Sequence, residues 1–337
     1  MSYVIDVYRG KGKAQHSIIN IALYISLFPQ LIAGPIVRYE TIADQIENRK
    51  ETWEGFCSGL FRFVIGLSKK VLIANNLALV ADTAFDGSER SVATAWLGAI
   101  AYTLQIYYDF SGYSDMAIGL GEVFGFRFLE NFNYPYISRS VSEFWRRWHI
   151  SLGTWFRDYV YFPMGGSRVE TKRKLVRNLF VVWLLTGIWH GAQWTFLCWG
   201  LMYFVLLILE KLSGFEKKKT KLIPLRYVYT MFFVVAGWVL FRAPTLGSAV
   251  RYYASMIGIG ATGWHDAMTA QLLMPNLLFF VFGILFSFPI IPKLKEALSR
   301  FEKPAAVIRG VVLLCLLVLD MSSIIIGSYN PFIYFNF

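Results

Sequence analysis

The sequence predicts an all-α membrane protein, a polytopic bundle of transmembrane helices with re-entrant or interfacial helices around a central tunnel. Of its 337 residues, 56% are hydrophobic and 16% are charged, whereas a soluble domain carries about 25% charged residues. The mean hydropathy is +0.47, and aromatic residues make up 18% of the chain. These three observations exclude a disordered, fibrous or ordinary cytosolic protein and indicate lipid as the surrounding medium.

The transmembrane segments of this prediction follow from length, since a spanning helix needs about 20 largely apolar residues. The clear candidates are residues 17–35, 178–190 running into 194–210, 227–243, 272–291 and 305–327. Less regular candidates are residues 58–80, 93–108 and 112–128. Some of these are too short or too polar for a straight span. This favours re-entrant helices whose backbone is shielded by protein or by a water-filled cavity.

The charge distribution indicates how the second half of the chain is oriented. The net charge is +11, and cytoplasmic loops of membrane proteins accumulate Lys and Arg. Three basic clusters are separated by pairs of apolar segments: Arg168, Lys172, Arg173, Lys174 and Arg177; Lys211, Lys217, Lys218, Lys219, Lys221 and Arg226; and Lys293, Lys295, Arg300, Lys303 and Arg309. We expect all three on the cytoplasmic side. No nucleic-acid partner is expected, because no basic stripe with interleaved aromatic residues stands outside the apolar runs.

His190 is a candidate functional residue, because ionisable side chains inside a membrane are rare and usually functional. It lies in the run TGIWHGAQW (186–194), between two apolar segments. A neutral imidazole in such surroundings can accept a proton at physiological pH. The alternative is a histidine that only hydrogen-bonds a neighbouring helix, and the membrane setting favours the functional interpretation.

His149 lies in a second unusual run, SEFWRRWHISLGTWFRDY (142–159). Helical spacing places aromatic side chains near it, with Arg146 and Arg147 alongside, which predicts an interfacial amphipathic helix. Spacing alone leaves two interpretations open. One is a belt at the lipid headgroups, and the other is a tunnel lining of Arg and His for an anionic, cytosolic cofactor.

A third run, YYDFSGYSDMAIG (107–119), carries two carboxylates at the junction of two apolar segments. Asp109 and Asp115 are candidates for acid–base groups or cation ligands. Ser111 is an acceptable helix N-cap, and Gly112 permits a tight bend. From position alone, capping and a helix break are the favoured roles.

Several runs together closely resemble the membrane-bound O-acyltransferase family. The main matches are YDFSGYSD (108–115), FWRRWHISL (144–152) and WHG (189–191), which set the two histidines 41 positions apart. Further matches are PQLIAGPI (29–36), YVYFPMGG (159–166) and NPFIYF (330–335). The likeness covers essentially the whole chain, and it is greatest to the bacterial branch that contains alginate O-acetylase and the D-alanyl lipoteichoic acid transferase.

The resemblance implies an acyltransferase of the bacterial cytoplasmic membrane, with the lipid bilayer as its medium. It would move an acyl group, most simply acetyl, from a cytosolic thioester such as acetyl-CoA to hydroxyls of an extracytoplasmic cell-surface polysaccharide. It would work with an exported or periplasmic partner of the SGNH-esterase type. The donor is a substrate, and neither a permanently bound cofactor nor a metal is implied.

The resemblance also suggests roles for single residues. His190 matches the catalytic histidine and would be the general base, whereas His149 matches the second position and would orient the donor or stabilise an oxyanion. Arg146, Arg147 and Arg157 would attract the phosphates of the donor. Asp109, Ser111 and Asp115 are further candidates, Asp109 as a group that orients an imidazole.

The chain is expected to form one membrane domain over residues 1–337, with N-terminal spans of the family missing. Three other hypotheses stay open at this point. The first is D-alanyl transfer to teichoic acid from a small carrier protein. The second is a transporter, which predicts a pseudo-symmetric repeat with broken helices. The third is an inactive paralogue retained as a scaffold.

Overall fold

The computed structural model describes residues 2–31, 34–216, 222–298, 302–327 and 331–333. The helices in these residues are α1 (Ser2–Tyr8), α2 (Ile18–Ser26), α3 (Tyr39–Asn48), α4 (Trp53–Ser68), α5 (Asn75–Asp86), α6 (Val92–Val123), α7 (Val141–Arg147), α8 (Ile150–Phe156), α9 (Lys172–His190), α10 (Trp194–Ser213), α11 (Ile223–Arg242), α12 (Leu246–Met256), α13 (Ala267–Phe286), α14 (Ile290–Leu298) and α15 (Glu302–Ile326). Short 3₁₀ turns lie at Phe28–Gln30 and Pro135–Ile137, and π-helical turns at Lys69–Ala74 and Arg157–Tyr161.

Five helical stretches of the described residues are long and apolar enough to cross a membrane. They are Trp53–Asp86, Trp194–Ser213, Ile223–Arg242, Ala267–Phe286 and Val307–Ile326. The first is α4, the π-helical turn Lys69–Ala74 and α5 in one continuous rod. The prediction of an all-α, multi-pass membrane protein is confirmed.

The predicted span over residues 17–35 is wrong. The described residues there form only α2, which has nine residues, and the following 3₁₀ turn. A nine-residue helix is about 14 Å long, less than half of the hydrocarbon core of about 30 Å. The helix ends at Ser26 because Leu27 has extended backbone, with a ψ of 104°, and the 3₁₀ turn Phe28–Gln30 begins directly after it.

The two predicted segments 93–108 and 112–128 form one helix, α6, with 32 residues. The expected break at Gly112 does not occur, and Ser111 lies in the middle of the helix rather than at its start. Gly112 instead permits close packing against α4. A Cβ atom on Gly112 would lie 2.7 Å from the carbonyl oxygen of Gly66, and one on Gly66 would lie 2.5 Å from the carbonyl oxygen of Gly112.

The three cations inside the stretch Trp53–Asp86 are paired with carboxylates of α6. Lys69 Nζ lies 2.6 Å from a carboxylate oxygen of Asp115, and Arg62 lies 2.8 Å from its other oxygen. Lys70 forms an ion pair with Asp109, and both side chains are buried. Pairing offsets part of the cost of placing these charges in apolar surroundings.

The helices α9 and α10 form an antiparallel hairpin through the short connection 191–193. Its open end carries Lys172 and Lys211, so two of the basic clusters lie at the same end, as the charge alternation predicts. Residues outside the described part include the cluster members Lys217, Lys218, Lys219, Lys221 and Arg300. The side chains of Lys295 and Lys303 are also outside it.

An aromatic core lies between this hairpin, α6, α7 and α11. The ring of Trp145 on α7 lies 5.0 Å from that of Trp183 on α9 and 4.8 Å from that of Tyr203 on α10. Trp148 lies 4.7 Å from Trp238 on α11. These edge-to-face and tilted contacts hold α7 and the residues that follow it against the spanning helices.

Candidate active site

A cavity of about 450 Å³ lies along one side of α9. The residues of α9 that line it are Leu179, Val182, Trp183, Thr186 and His190. Their spacing is that of a single helix face. From Leu179 to His190 the helix rises by about 16 Å, so the cavity is elongated along the helix axis.

One end of the cavity is basic. Arg146 from α7, Arg157 from the turn after α8 and Lys211 from the last turn of α10 line it there. Arg146 pairs with Glu216 at 2.6 Å and Arg157 with Asp158 at 2.8 Å, and both arginines are more than half exposed. Exposed ion pairs contribute little to stability, so these cations are available to an anionic ligand.

His190 lies at the other end, as the last residue of α9. Its ring is half-buried and is surrounded by aromatic rings, with centroids at 4.9 Å for Trp189 and 5.0 Å for both Trp199 and Phe241. Within the described residues, no side chain or backbone group forms a hydrogen bond with this imidazole. Both of its nitrogens are therefore available to a bound molecule.

His149 lines the same cavity and is 5% exposed. The sequence predicts that His149 lies inside a continuous amphipathic helix. In the structure it lies instead in the break between α7 and α8. Its φ of +46° is left-handed, which is rare for a residue other than glycine. The break turns the imidazole toward the cavity and away from the exposed face of α7.

Asn131 contacts the Nδ1 side of the His149 imidazole. Its Oδ1 lies 3.1 Å from His149 Nδ1 and accepts hydrogen bonds from the backbone N–H and the hydroxyl of Ser151, at 3.1 Å and 2.9 Å. Its Nδ2 donates to the hydroxyl of Ser114 on α6 at 3.1 Å. Asn131 is 1% exposed, so this network is shielded from water.

Burial also decides the charge of His149, which lies outside the membrane-spanning helices. Desolvation, with a smaller contribution from His190, lowers the pKa of His149 to about 3. The ring is therefore neutral at physiological pH, because burial disfavours the charged form. Among the described residues, no carboxylate contacts the ring, so nothing offsets this effect.

Two acidic residues near the C-terminal end of α10 bind the N-terminal end of α7. Glu210 is 3% exposed, and its carboxylate accepts hydrogen bonds from the backbone N–H groups of Val141 and Ser142 at 2.7 Å and 2.9 Å. Glu216 accepts from the Ser140 hydroxyl at 2.8 Å. These contacts fix α7 against α10 and so set where Arg146 lies.

The family model for MBOAT, the membrane-bound O-acyltransferase family, matches residues 11–253 of this chain. The chain belongs to this family. It is an acyltransferase with several membrane-crossing helices, and both candidate histidines of the cavity lie inside the matched part.

The names of three relatives of this MBOAT protein refer to alginate, peptidoglycan and teichoic acid. A protein named probable alginate O-acetylase from Azotobacter vinelandii is 41% identical over 368 aligned residues, which cover 100% of this chain and 73% of the relative. A peptidoglycan O-acetyltransferase from Helicobacter pylori is 41% identical over 72% of this chain and 47% of its own length. A teichoic acid D-alanyltransferase from Bacillus subtilis is 29% identical over 71% of this chain and 65% of its own length.

The structure brings four of the sequence-predicted site residues of this MBOAT enzyme into one cavity. These are His149, His190, Arg146 and Arg157. Arg147 does not line the cavity. It turns away from Arg146 to pair with Glu143 at 2.9 Å and donates a hydrogen bond to the backbone oxygen of Asn133.

The candidates Asp109, Ser111 and Asp115 also lie outside the cavity. Asp109 pairs with Lys70 and accepts a hydrogen bond from the backbone N–H of Ile333 at 2.6 Å. Asp115 pairs with cations of the stretch Trp53–Asp86, and Ser111 is buried in α6. Their positions indicate structural roles, and the contacts of Asp109 among the described residues are with Lys70 and Ile333 rather than with an imidazole.

Sequence reasoning missed three residues that shape the cavity: Asn131, Glu210 and Lys211. Glu210 carried a usable signal, because a lone acid in an otherwise apolar spanning helix is expensive and needs partners. Lys211 was assigned only to a basic cluster. Asn131 stands in an irregular segment, and nothing in its neighbourhood along the chain indicates that it contacts a histidine 18 residues away.

Proposed function

We propose that this enzyme transfers an acetyl group from a cytosolic thioester of the acetyl-CoA type to a hydroxyl of an extracytoplasmic cell-surface polysaccharide. One observation carries the proposal. A single elongated cavity has cationic side chains at one end and two imidazoles deeper inside it. The likeness to two groups of O-acetyltransferases at 41% identity supports acetyl as the acyl group.

The basic end suits the phosphates of such a donor. Arg146, Arg157 and Lys211 come from three different elements and converge on the cavity. Arginine binds phosphate through parallel N–H groups, and lysine binds it as a point charge. The basic clusters at this end of the α9–α10 hairpin support a position on the cytoplasmic side, where coenzyme thioesters are found.

The imidazole end suits acyl transfer. The acceptor hydroxyl attacks the thioester carbonyl carbon, so a C–O bond forms, the C–S bond breaks and the hydroxyl proton passes to an imidazole. The same imidazole then returns the proton to the departing thiolate. General base catalysis of this kind contributes about 10²–10⁴-fold. The second imidazole donates an N–H to the oxygen that becomes negative in the transition state.

The aromatic rings around the imidazoles complete the site. Trp199 and Phe241 line the cavity beside His190. Apolar walls exclude water, which suppresses hydrolysis of the thioester. We further propose that the enzyme lies in the bacterial cytoplasmic membrane and passes the acetyl group to the polysaccharide with an exported, esterase-like partner.

The proposal is tested in a strain that lacks the chromosomal gene and carries this protein, its His190→Ala variant or its His265→Ala variant. The measurement is the O-acetyl and D-alanyl ester content of the surface polymers. We expect acetyl esters with the unmodified protein and with the His265→Ala variant. The His265 side chain of the unmodified protein is exposed and lies in the loop 257–266, between α12 and α13. His190→Ala is expected to abolish the acetyl esters at equal abundance in the membrane.

Other outcomes would contradict this proposal in distinct ways. D-alanyl esters in place of acetyl esters would establish the carrier-protein donor. Normal acetylation with His190→Ala would remove His190 from the chemistry. No ester of either kind would favour a transporter or a scaffold.

A further inference from the structure

One carboxylate, that of Asp158, binds two arginines at the basic end of the cavity. Its Oδ1 lies 2.8 Å from Nε of Arg157, and its Oδ2 lies 2.7 Å from Nη2 of Arg38. Burial raises the pKa of Asp158, but the hydrogen bonds from Arg157 and Arg38 outweigh burial and hold the pKa below its ordinary value. The carboxylate is therefore charged at physiological pH, and both of its oxygens are occupied.

The two arginines differ in how firmly the fold holds them. The Arg157 side chain is 52% exposed and lines the cavity, and its ion pair is with Asp158. The Arg38 side chain is 15% exposed and does not line the cavity. Arg38 Nη2 also donates to the backbone oxygen of Thr154 at 3.1 Å, and Nη1 lies 3.3 Å from a carboxylate oxygen of Glu40. Arg38 is therefore fixed in place, whereas Arg157 can exchange its partner.

This difference decides what happens to Asp158 when a phosphate enters the basic end. A phosphate oxygen and a carboxylate oxygen compete for the same N–H groups of Arg157, because a guanidinium binds either of them through parallel hydrogen bonds. When Arg157 turns to the phosphate, Asp158 stays paired with Arg38. The Asp158 side chain is only 18% exposed, and a carboxylate so shielded is costly to leave without a cation. Arg38 removes this cost from the exchange.

We propose that Arg38 is a positioning residue for donor binding, which acts through Asp158 and releases Arg157 to the phosphates of the donor. This rests on the phosphate-bearing thioester donor proposed above, and it assigns a role to an arginine outside the cavity. Without Arg38, Arg157 is the cation that Asp158 retains, and the carboxylate holds it more tightly. The donor then binds more weakly, although every cation that lines the cavity is still present.

The first test measures donor binding without acyl transfer. The probe is coenzyme A, and its dissociation constant from the detergent-solubilised full chain is measured by isothermal titration calorimetry. Arg38→Gln keeps an N–H group for the Thr154 oxygen but carries no charge. We expect it to raise the dissociation constant about three- to fivefold, the scale that one partly exposed ion pair supports. A dissociation constant within about 1.5-fold of normal would overturn the proposal.

This measurement separates the inference from the proposed reaction. Binding of coenzyme A that is insensitive to Arg38→Gln contradicts the role of Arg38 alone and leaves the proposed donor in place. Absence of coenzyme A binding to the unmodified chain contradicts the proposed donor, and the role of Arg38 with it. A failure of acyl transfer at the imidazole end does not affect the readout, because no chemical step is measured.

The matched control is Arg9→Gln, which removes one positive charge from the same neighbourhood. Arg9 donates to the backbone oxygen of Asp158 at 3.3 Å rather than to its carboxylate. Its guanidinium lies 5.7 Å from the centre of the Tyr159 ring, compared with 5.1 Å for that of Arg38. We expect a dissociation constant within about 1.5-fold of normal. Equal weakening by Arg9→Gln and Arg38→Gln would mean that any nearby cation attracts the donor, which contradicts a specific role of Arg38.

A double variant tests whether Arg38 acts through Arg157. Arg157→Gln removes the side chain that exchanges its partner, so it weakens coenzyme A binding by itself. In this background, Arg38→Gln is expected to change the dissociation constant by less than about 1.5-fold, because residues that act through one contact are not additive. A further rise as large as that in the unmodified chain would show that Arg38 acts by another route, such as a displaced α8, and would overturn the proposal.

Asp158→Asn tests the same exchange with the opposite sign. The amide no longer competes as an anion for Arg157, so we expect coenzyme A to bind about twofold more tightly. Weaker binding would show that the carboxylate orients Arg157 rather than competes for it, and would contradict the proposal.

Steady-state kinetics and a conservative substitution distinguish positioning from damage to the fold. Arg38→Gln is expected to raise the donor KM by the same factor as the dissociation constant and to leave kcat within twofold per folded molecule. Arg38→Lys keeps a cation for Asp158 and is expected to restore the KM to within twofold of normal. A fall in kcat with an unchanged KM, or no rescue by lysine, would assign Arg38 to the stability of the fold instead.

Discussion

At the scale of single residues, Arg146 and Arg147 are neighbours in the sequence but differ in what they contact. Arg146 lines the cavity, whereas Arg147 pairs with Glu143 on its own helix. The sequence analysis assigned both to the donor phosphates, because the sequence alone does not show in which direction each of two adjacent arginines points. On a helix, successive residues point about 100° apart, so only one of them faces the cavity.

This difference gives a prediction for donor binding. Arg146→Ala is expected to raise the donor KM about three- to tenfold and to leave kcat within twofold, because an exposed phosphate contact contributes modestly and equally to ground and transition states. Steady-state kinetics at varied donor concentration measure both parameters. Arg147→Ala is the control and is expected to leave the donor KM unchanged. An equal rise in the two variants would show a general effect of positive charge.

The two histidines show which parts of the candidate site could be predicted from the sequence. His190 was identifiable because an ionisable side chain between two apolar segments is usually functional. For His149 the spacing left two interpretations open, and only the family resemblance suggested a role. Their meeting in one cavity depends on the break at His149 and on the hairpin of α9 and α10. Asn131 was not identifiable, because its contacts with His149, Ser114 and Ser151 exist only in the folded chain.

At the scale of elements, α6 shows why local signals for a helix break can fail. Serine and glycine in the run 107–119 are typical of caps and bends. Tertiary packing overrides these preferences, because Gly112 is needed where α4 and α6 approach closely. Small residues at such crossings let two helix backbones come close in a membrane.

The close crossing can be tested by adding one methyl group. Gly112→Ala would place Cβ 2.7 Å from a backbone oxygen of α4, so the helices must separate, at a cost of about 1–3 kcal/mol. We expect a lower midpoint of thermal unfolding for the detergent-solubilised protein. The control is Gly310→Ala on α15, where the added Cβ would meet no side chain or other helix of the described residues within 4 Å. It is expected to have a midpoint that is equal or higher, since alanine is the better helix former.

At the scale of the whole molecule, buried charges join segments that are far apart in the sequence. Lys70 and Asp109 pair between the stretch Trp53–Asp86 and α6. Both also contact the C-terminal segment 331–333, since Lys70 donates to the backbone oxygen of Pro331 at 3.1 Å and Asp109 accepts from the backbone N–H of Ile333. On α15, Asp320 accepts a hydrogen bond from Ser68 at 2.8 Å.

Because of this arrangement, a substitution of Asp109 can distinguish a structural role from a catalytic role. From the sequence it was a candidate site residue, yet in the fold it neutralises a buried lysine. Asp109→Asn leaves Lys70 buried without its counter-ion, and breaking a buried pair in this way costs about 3–5 kcal/mol. We expect a lower unfolding midpoint and less protein in the membrane, with kcat per folded molecule unchanged within twofold.

A second variant distinguishes a lost charge partner from a lost catalytic group. In the double variant Lys70→Met with Asp109→Asn, the unpaired charge is gone, so much of the lost stability is expected to return. Unfolding midpoints of the single and double variants, with activity normalised to folded protein, measure both effects. If kcat fell 100-fold in Asp109→Asn and stayed low in the double variant, Asp109 would belong to the chemistry after all. Recovery of stability with a normal kcat would instead show that Asp109 has a structural role and that catalysis depends on the residues of the cavity, where the two imidazoles lie.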